Sequence, residues 1–464
     1  MKPLLPLEKK ELPQAPALRK LIGPSFILLG LGLGSGELIL WPYLTSNFGL
    51  GIIWAAVLGI TLQFFLNMEI VRYTLVTGES VFVGLTRKFG RITPFWFIAS
   101  TLIPWMWPGI IASSAKVLAE ALGIEYSKFL GIFLLLFLGV IYSFGKIVYK
   151  TQEKVQKTII LIGVPFIFLI TLYFARPAHW QALFQGIMGR GEGFWFLPVG
   201  LPYATFLGAL AYAGAGGNLN LAQSLYVKEK GYAMGKFSGN ITNILREKGK
   251  DISLEGATFD TSPANLKTFK LWWKRVNIEH ALIFWATGAF TMILLSLLAY
   301  STTYGAQGID KSINFVINEA NTISIKTHPL LGTSFLTLVC LMLFGTQFSV
   351  YGSNSRITSE NLAILNRNKL KTGSLAKYFY IFLWLQIIAG VVIFALGFTE
   401  PLLLIITGAV LNAFSMFIYS GMILWLNLTK LEKSLRPSAF RIAMISSAFL
   451  FYGGFSIFTI IQNI

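Results

Sequence analysis

The amino-acid sequence predicts an all-α protein that crosses a membrane many times. Of its 464 residues, 55% are hydrophobic and only 12% are charged, and the mean hydropathy is +0.65. Soluble domains carry about 25% charged residues. Apolar runs near the ~20 residues needed to cross a bilayer recur along the whole chain. Together these observations exclude a soluble protein.

Eleven apolar segments are predicted to be transmembrane helices. They cover residues 21–45, 49–76, 94–120, 128–145, 155–175, 196–226, 277–302, 330–352, 377–398, 401–427 and 440–462. No soluble domain remains between them, because the longest polar segment is a basic loop, 228–275. We expect this loop to lie on the anionic inner leaflet.

The charge distribution predicts the orientation of the chain. The formal net charge is +18, and 32 of the 38 Lys and Arg residues fall in the tail and loops of one side when the eleven spans alternate. Cytoplasmic loops are enriched in basic residues, so this side is predicted to be cytoplasmic. We therefore expect an integral protein of the plasma (inner) membrane with its N-terminus cytoplasmic and its C-terminus outside. A nucleic-acid partner is not predicted.

No enzyme activity and no cofactor are predicted. Cys340 is the only cysteine, which excludes an intrachain disulfide and a thiolate metal cluster. The three histidines lie near span ends, and no His-Glu-x-x-His motif is present. The first twenty residues lack the apolar core and cleavage site of a signal peptide.

Two glycine-rich segments resemble each other and predict an internal repeat. "GPSFILLGLGLGSGE" (23–37) and "LPYATFLGALAYAGAGGN" (201–218) each begin near a proline and end in a glycine cluster. They lie in spans 1 and 6, five spans apart, so the two repeats insert with opposite orientation. The predicted organisation is a cytoplasmic tail 1–20, repeats 21–175 and 196–427, and an eleventh helix in 440–464.

The paired glycine clusters predict that helices 1 and 6 are broken and form a midplane site. Irregular backbone inside a membrane survives only where it is buried in protein or lines a cavity, and matching interruptions in inverted halves mark transporter sites. Close helix packing by small residues is the alternative. The predicted binding residues are Gly34, Ser35, Gly36, Glu37, Ala213, Ala215, Gly216, Gly217, Asn218 and Gln223.

Glu37 is the strongest candidate, because an ionisable residue inside a membrane is costly and therefore functional or paired. It is predicted to be a metal ligand, or a cap for the N–H groups of the following half-helix. Residues proposed to line a path are Ser114, Lys116, Asn220, Gln347, Tyr351 and Asn412. For most of these, helix–helix hydrogen bonding is the alternative. Lys116 can instead extend to the outer surface, pair with Glu37 or attract an anion.

Several segments resemble the Nramp family of divalent-metal transporters, which has the LeuT-type fold of the amino acid–polyamine–organocation superfamily. "GPSFILLGLGLGSGE" is similar to the first helix of that family, and "EIVRYTLVTGES" (69–80) to the end of the second. "EKVQKTIILIGVPFIFLI" (153–170) is similar to the fifth helix, and "GGNLNLAQSLYV" (216–227) follows the sixth-helix break. The resemblance implies eleven helices, alternating access and a metal ion held between helices 1 and 6.

The chain departs from the Nramp pattern at the metal ligands. The family has Asp-Pro-Gly-Asn at the first break, where this chain has Gly34-Ser35-Gly36-Glu37. It has Met-Pro-His at the second, where this chain has Ala215-Gly216-Gly217. The paired acids of its third helix fall on Ser114 and Val117, which makes proton coupling doubtful. Without the methionine thioether, selection for soft transition metals is expected to weaken.

The sequence therefore predicts a secondary active transporter that works by alternating access, as a monomer in contact with lipid. The preferred substrate is a hard divalent cation such as Mg²⁺ or Mn²⁺, since Mg²⁺ keeps several waters and needs few carboxylates. The alternative is a small organic solute or anion, such as an amino acid or bicarbonate, because "GSGE" is also similar to the Gly-Ser-Gly break of amino-acid permeases.

Overall fold

A computed structural model describes residues 4, 6–21, 23–144, 148–237, 254–306, 312–367 and 374–462. Within these ranges the chain is mostly helical, and its buried apolar side chains form one core cluster. Four two-residue strands form two pairs there: Glu8–Lys9 with Ala257–Thr258 in parallel, and Arg190–Gly191 with Phe194–Trp195 antiparallel.

Nine helices of the described part are long and apolar enough to cross a membrane, which supports an integral membrane protein. Numbered by predicted span, they are helix 1 (Pro24–Phe48), helix 2 (Leu50–Thr77), helix 3 (Ile92–Leu122), helix 5 (Val148–Phe174), helix 7 (Pro263–Thr303), helix 8 (Pro329–Leu365), helix 9 (Ser374–Ala395), helix 10 (Pro401–Lys430) and helix 11 (Ala439–Gln462). Helix 4 (Lys128–Phe144) is apolar but shorter, and the sixth span forms helices 6a (Tyr203–Ala211) and 6b (Ala222–Glu229). The count of eleven spans and the division into inverted repeats stay predictions.

Short helices join these elements. They are Leu18–Lys20, Val81–Phe89, Pro177–Ile187, Ala233–Phe237, Asn314–Lys326 and Lys433–Leu435. Helix 3 consists of Ile92–Trp105 and Gly109–Leu122, which are separated next to Pro108. Proline has no N–H to donate, so it interrupts the helical hydrogen-bond pattern there.

Two helices extend beyond their predicted ends. The sequence predicts a loop over 228–275, but helix 7 already begins at Pro263, after Ser262 caps its first turn by accepting from the Asn265 N–H. Residues 238–253 of that loop lie outside the described residues. Helix 8 continues to Leu365 instead of ending near residue 352, because polar residues such as Asn354 are buried against helix 9. Polar residues that pack against protein lower the local hydropathy without ending the helix.

Helix 1 is not broken, contrary to the prediction. Pro24–Gly32 continues directly into a π-helical segment, Leu33–Leu40, and then into Trp41–Phe48. In a π-helix each N–H donates to the carbonyl five residues back, as the N–H of Trp41 does to the Gly36 carbonyl. The wider turn keeps the backbone hydrogen-bonded, so the glycines of helix 1 do not open it.

Candidate functional site

The candidate site is built around the interruption between helices 6a and 6b. Residues 212–216 are not helical, and a 3₁₀ turn, Gly217–Leu221, leads into helix 6b. Gly216 and Gly217 have φ values of 75° and 50°, which are left-handed values that glycine adopts at little cost. The chain therefore leaves the helix in the core and frees backbone polar groups there.

Gln63 of helix 2 satisfies part of this opened backbone. Its Nε2 donates to the carbonyl oxygen of Ala211 at 3.0 Å, and its Oε1 accepts from the N–H of Gly216 at 3.4 Å. The same oxygen accepts from Asn220 Nδ2 at 3.2 Å. One buried amide thus replaces helical hydrogen bonds on both sides of the interruption. Gln63 was not predicted from the sequence, although a lone amide in the apolar run "LGITLQFF" was a usable signal.

Three buried asparagines surround the interruption and tie it to helices 3 and 10. Their Nδ2 atoms donate to hydroxyl groups: Asn218 to Ser100 (2.8 Å) and Thr101 (2.9 Å), Asn220 to Tyr419 (2.9 Å), and Asn412 to Tyr212 (2.9 Å). Among the described residues, the Oδ1 atom of each asparagine has no hydrogen-bond partner. Buried polar atoms are normally paired, so these three oxygens are acceptors available to a bound ion or solute.

The glycines of helix 1 let that helix lie directly against the interruption. A Cβ added to Gly36 would collide with the carbonyl oxygen of Tyr212, and one added to Gly32 would lie 2.5 Å from the carbonyl oxygen of Gly214. Gly34 faces helix 8, where its Cβ would lie 2.8 Å from Thr346. In this conformation the glycines of helix 1 serve close packing, which was the alternative to a break.

Glu37 faces helix 7 and not the interruption. Its side chain is buried, Oε2 accepts a hydrogen bond from the Thr291 hydroxyl, and Oε1 lies beside Gly288 with no partner among the described residues. Gly32 and Gly36 lie on the helix-6 side, whereas Glu37, the residue after Gly36, lies on another side of helix 1, against helix 7. Ser35 is also buried, and its Oγ likewise has no partner in the described part.

The other predicted residues divide between the site and its surroundings. Ala213 and Ala215 lie in the interruption and are buried. Ser114 donates to the Cys340 carbonyl of helix 8, and Tyr351 to the Gln386 carbonyl of helix 9, so both join helices. Gln347 is buried with Oε1 unpartnered among the described residues.

Lys116 extends away from the site. Its Nζ donates to Ser312 at 3.2 Å and Asn314 at 3.0 Å, both in the segment between helices 7 and 8. The ammonium group therefore has hydrogen-bond partners other than Glu37, and the direction in which it extends relative to the membrane stays a prediction.

A second buried cluster was missed by the sequence analysis. Gln223, predicted for the site, lies 3.4 Å from His280 (Nε2 to Nδ1), beside Ser25 and Glu279. The signal was "IEH" (278–280), a Glu-His pair at the edge of an apolar run. The described residues contain no group of three or more His, Cys, Asp and Glu side chains that could hold a metal. A multi-carboxylate metal centre is therefore not formed in the described part of the chain.

Comparisons with known proteins identify the fold. No family model matches the sequence, and no curated protein matches it significantly. Crystal structures of mutants of an Eremococcus coleocola manganese transporter match this chain with a TM-score of 0.70 at 14% identity, covering 98% of this chain and 89% of that chain. The complex of that transporter with an aromatic bis-isothiourea substituted compound gives 0.69 at the same identity and coverage.

Mhp1, a nucleobase-cation-symport-1 family transporter, matches at 11% identity over 96% of this chain and 93% of its own, with a TM-score of 0.46, which is too low to indicate a shared fold. At 14% identity, the match to the manganese transporter shows a common fold and says nothing about the substrate. The predicted all-α fold with many apolar helices is confirmed at that level, and the transport function and membership of the Nramp family stay predictions.

Proposed function

We propose that this protein is a secondary transporter that moves a small ion or solute by alternating access. The observation that carries the proposal is the interruption of helix 6, which is surrounded by buried acceptor oxygens that have no partner among the described residues. Irregular backbone of this kind is characteristic of binding sites inside transporters. The fold shared with a manganese transporter supports the same function.

A hard divalent cation is the first candidate substrate. Among the described residues, the atoms near the interruption that lack a partner include the Oδ1 atoms of Asn218, Asn220 and Asn412, and Glu37 Oε1 on the neighbouring helix lacks one as well. Oxygen ligands suit Mg²⁺ and Mn²⁺, and Mg²⁺ usually retains several waters with one or two carboxylates. Binding would turn Glu37 from Thr291 toward helix 6, or reach it through water.

A small polar organic solute is the second candidate, and one observation favours it. The groups around the interruption are amides and hydroxyls, and no acid contributes a hydrogen bond to them in the described structure. Neutral amide oxygens accept hydrogen bonds from the N–H or O–H groups of a solute. A site lined by amides and hydroxyls can bind a substrate that carries no charge.

Flux measurements on reconstituted protein test the proposal and separate the two substrates. Liposomes containing the wild-type protein are given Mg²⁺ or Mn²⁺ outside and a metal-sensitive dye inside. In parallel, they are given labelled amino acids and bicarbonate. We expect Asn218→Ala and Asn412→Ala to reduce the flux at least about tenfold by removing ligand oxygens. Glu120→Gln is the matched control, because Glu120 is exposed on helix 3.

Each outcome decides between the candidates. Divalent-cation flux that Glu37→Gln also abolishes supports the cation. Organic-solute flux without cation flux supports the second candidate. Flux in the wild type that neither asparagine variant reduces would contradict a site at the interruption, and no flux of any of these probes would contradict transport of either class.

A further inference from the structure

A buried polar cluster lies where the start of helix 1 meets helices 6b and 7. It is distinct from the interruption of helix 6. It consists of Ser25, Gln223, Glu279 and His280, each at most 3% exposed. Neither the proposed substrate site nor the packing of apolar side chains accounts for an acid and an imidazole buried side by side.

One hydroxyl group joins the acid and the imidazole. Ser25 Oγ donates to Glu279 Oε2 at 2.6 Å and lies 2.8 Å from His280 Nδ1. Since the hydroxyl has one proton, Nδ1 carries a proton and donates it to Ser25 in this arrangement. His280 Nε2, Glu279 Oε1 and Gln223 Oε1 have no hydrogen-bond partner among the described residues. The chain of hydrogen bonds is therefore open at both ends.

Two aromatic rings enclose the imidazole of His280, and charged groups lie around the cluster. Its ring is stacked between Phe64, with centroids 5.6 Å apart, and Phe284, at 4.6 Å, and aromatic faces attract cations. Lys230, after helix 6b, acts electrostatically on Glu279. Lys230 itself lies 3.6 Å from Glu153 of helix 5, which also pairs with Lys157. On helix 6b, Lys228 and Glu229 pair with Glu360 and Arg356 of helix 8. Further charged groups near this part of helix 7 are Arg275, which donates to the Ala15 and Pro16 carbonyls, the exposed Arg19 and Lys20, and Glu69, which pairs with Arg72 and Arg441.

We propose that Ser25, Glu279 and His280 form a proton-binding site that controls the start of helix 1. This proposal rests on the proposed transport function, because the proton bound here would be the one coupled to transport. The third-helix residues Ser114 and Val117 have no side chain that could carry that proton. Gln223 extends the site to helix 6b.

Proton transfer through the site balances without a co-reactant. A proton from water binds His280 Nε2, the Nδ1 proton passes to Ser25 Oγ, and the Ser25 hydroxyl proton passes to Glu279 Oε2. The products are a neutral imidazole protonated at Nε2 and a neutral carboxylic acid. The reverse sequence releases the proton, so the site loads and unloads one proton each cycle.

Protonation changes how helix 7 holds helix 1. The ionised Glu279 carboxylate lies at the start of helix 1, near the N–H groups of Gly23 and Ser25, where a negative charge is favoured by the helix dipole. A neutral carboxyl group loses most of this attraction. Loading the proton therefore frees the first turns of helix 1.

The same two helices reach the level of Glu37. Helices 1 and 7 run parallel, since Ser25 contacts Glu279, Glu37 contacts Thr291 and Ser46 contacts Thr303. Ser25 and Glu37 are twelve residues apart, about 18 Å along the helix. A movement of helix 1 at Ser25 is therefore transmitted along the contact that positions Glu37.

Hydrogen–deuterium exchange tests the proposal without a substrate. Full-length protein in nanodiscs is exchanged across a pH series, corrected for the intrinsic pH dependence of exchange, and the peptide covering residues 24–31 is followed. We expect its exchange in the wild type to rise about tenfold as the pH falls. Glu279→Gln should exchange fast at every pH, and Ser25→Ala and His280→Gln should lose the pH response. Glu120→Gln, an exposed control, should keep it.

The outcomes separate this proposal from transport itself. A wild-type peptide without pH response, or variants that all keep the wild-type profile, would overturn the proton site. If Glu279→Gln fails to fold, Ser25→Ala and His280→Gln decide in its place. A normal pH response in protein that moves no probe in liposomes would support the proton site and overturn the transport proposal.

Discussion

Helices 1 and 6 carry similar glycine clusters and yet fold differently. Helix 1 keeps its backbone hydrogen bonds through a π-helical segment, Leu33–Leu40, whereas helix 6 loses its helical structure over residues 212–216. In helix 1 the glycines alternate with leucine and serine, and none has a positive φ. In helix 6 two glycines are adjacent and both have a positive φ. Helix 6a ends at Ala211, and the positive φ values of Gly216 and Gly217 redirect the chain before helix 6b, whereas every glycine of the helix 1 cluster keeps a negative φ.

The two helices also depend on each other. The opened backbone of helix 6 presents the carbonyl oxygens of Tyr212 and Gly214 to helix 1, and only glycine at positions 36 and 32 allows the approach. The glycine cluster of helix 1 is therefore complementary to the interruption of helix 6. A glycine cluster in a membrane span therefore marks a close approach between two helices as readily as a break in one helix.

Adding a side chain at the contact between the two helices should have the largest effect. We expect Gly36→Ala to cost about 3 kcal/mol, or to prevent folding, because its Cβ would collide with the Tyr212 carbonyl. The measurement is the yield of monodisperse protein and its melting temperature in detergent. The control is Gly454→Ala on helix 11, where an added Cβ meets nothing within 4 Å. Equal stability of the two variants would contradict the contact.

Removing the amide that replaces the lost helical hydrogen bonds should have the next largest effect. Gln63→Ala leaves the Ala211 carbonyl and the Gly216 N–H without this partner, at a cost of about 2 kcal/mol. Thermal unfolding should show the loss, while Gln181→Ala, at an exposed position of the helix Pro177–Ile187, should behave as the wild type. Unchanged stability of Gln63→Ala would mean that the interruption does not need this support.

The glycines of helix 1 and helix 6 also differ in backbone conformation, and this difference should have a smaller effect. Gly216→Ala forces a Cβ into a left-handed conformation, φ 75°, at about 1–2 kcal/mol. In Gly34→Ala the backbone stays helical, and the three atoms nearest to the added Cβ are the Cβ, Oγ1 and Cγ2 atoms of Thr346, at 2.8, 2.8 and 3.0 Å. This variant should therefore be milder than Gly216→Ala, and Thr346→Gly, which removes all three atoms, should restore part of its melting temperature. The melting temperatures of Gly34→Ala and Gly216→Ala, each with and without the substitution at Thr346, test this. Rescue of Gly34→Ala but not of Gly216→Ala is expected, and rescue of neither would contradict the assigned contact.

The sequence was sufficient for the fold class and for the position of the interruption in helix 6. Hydropathy located the spans, and the adjacent Gly216 and Gly217 located the break. It was not sufficient for helix 1, because a glycine cluster that serves close packing and a glycine cluster at a break look alike in a sequence. The partners of Gln63 and Glu37 depend on which helix lies opposite, which a single sequence does not specify. Glu279 and His280 were missed because they lie where the predicted span 7 begins.

The smallest expected effect is the free-energy cost of burying an acid. Glu319, in the helix Asn314–Lys326 outside the membrane spans, is a buried acid like Glu37. Burial raises the pKa of the Glu319 carboxyl well above its usual range. The folded state therefore holds this proton more tightly than the unfolded state, and stability falls as the pH rises above about 4.3. We expect Glu319→Gln to raise the melting temperature by about 2–4 °C at pH 7.

The gain from Glu319→Gln should shrink as the pH falls toward and below about 4.3, where the wild-type carboxyl becomes protonated in the unfolded state as well as in the folded state. Melting curves across this pH range measure it, and Glu125→Gln in an exposed loop is the control. A gain that does not change with pH would show that the acid is not the cause.

Thiol labelling tests most directly the claim that the interruption of helix 6 opens to water during function. Cys340 is the only cysteine, so Cys340→Ser provides a clean background for Ala215→Cys in the interruption and Ala448→Cys in helix 11, two alanines that are each 1% exposed. We expect a membrane-impermeant maleimide to label position 215 in liposomes and to leave position 448 unlabelled. Equally slow labelling of both positions would contradict the account.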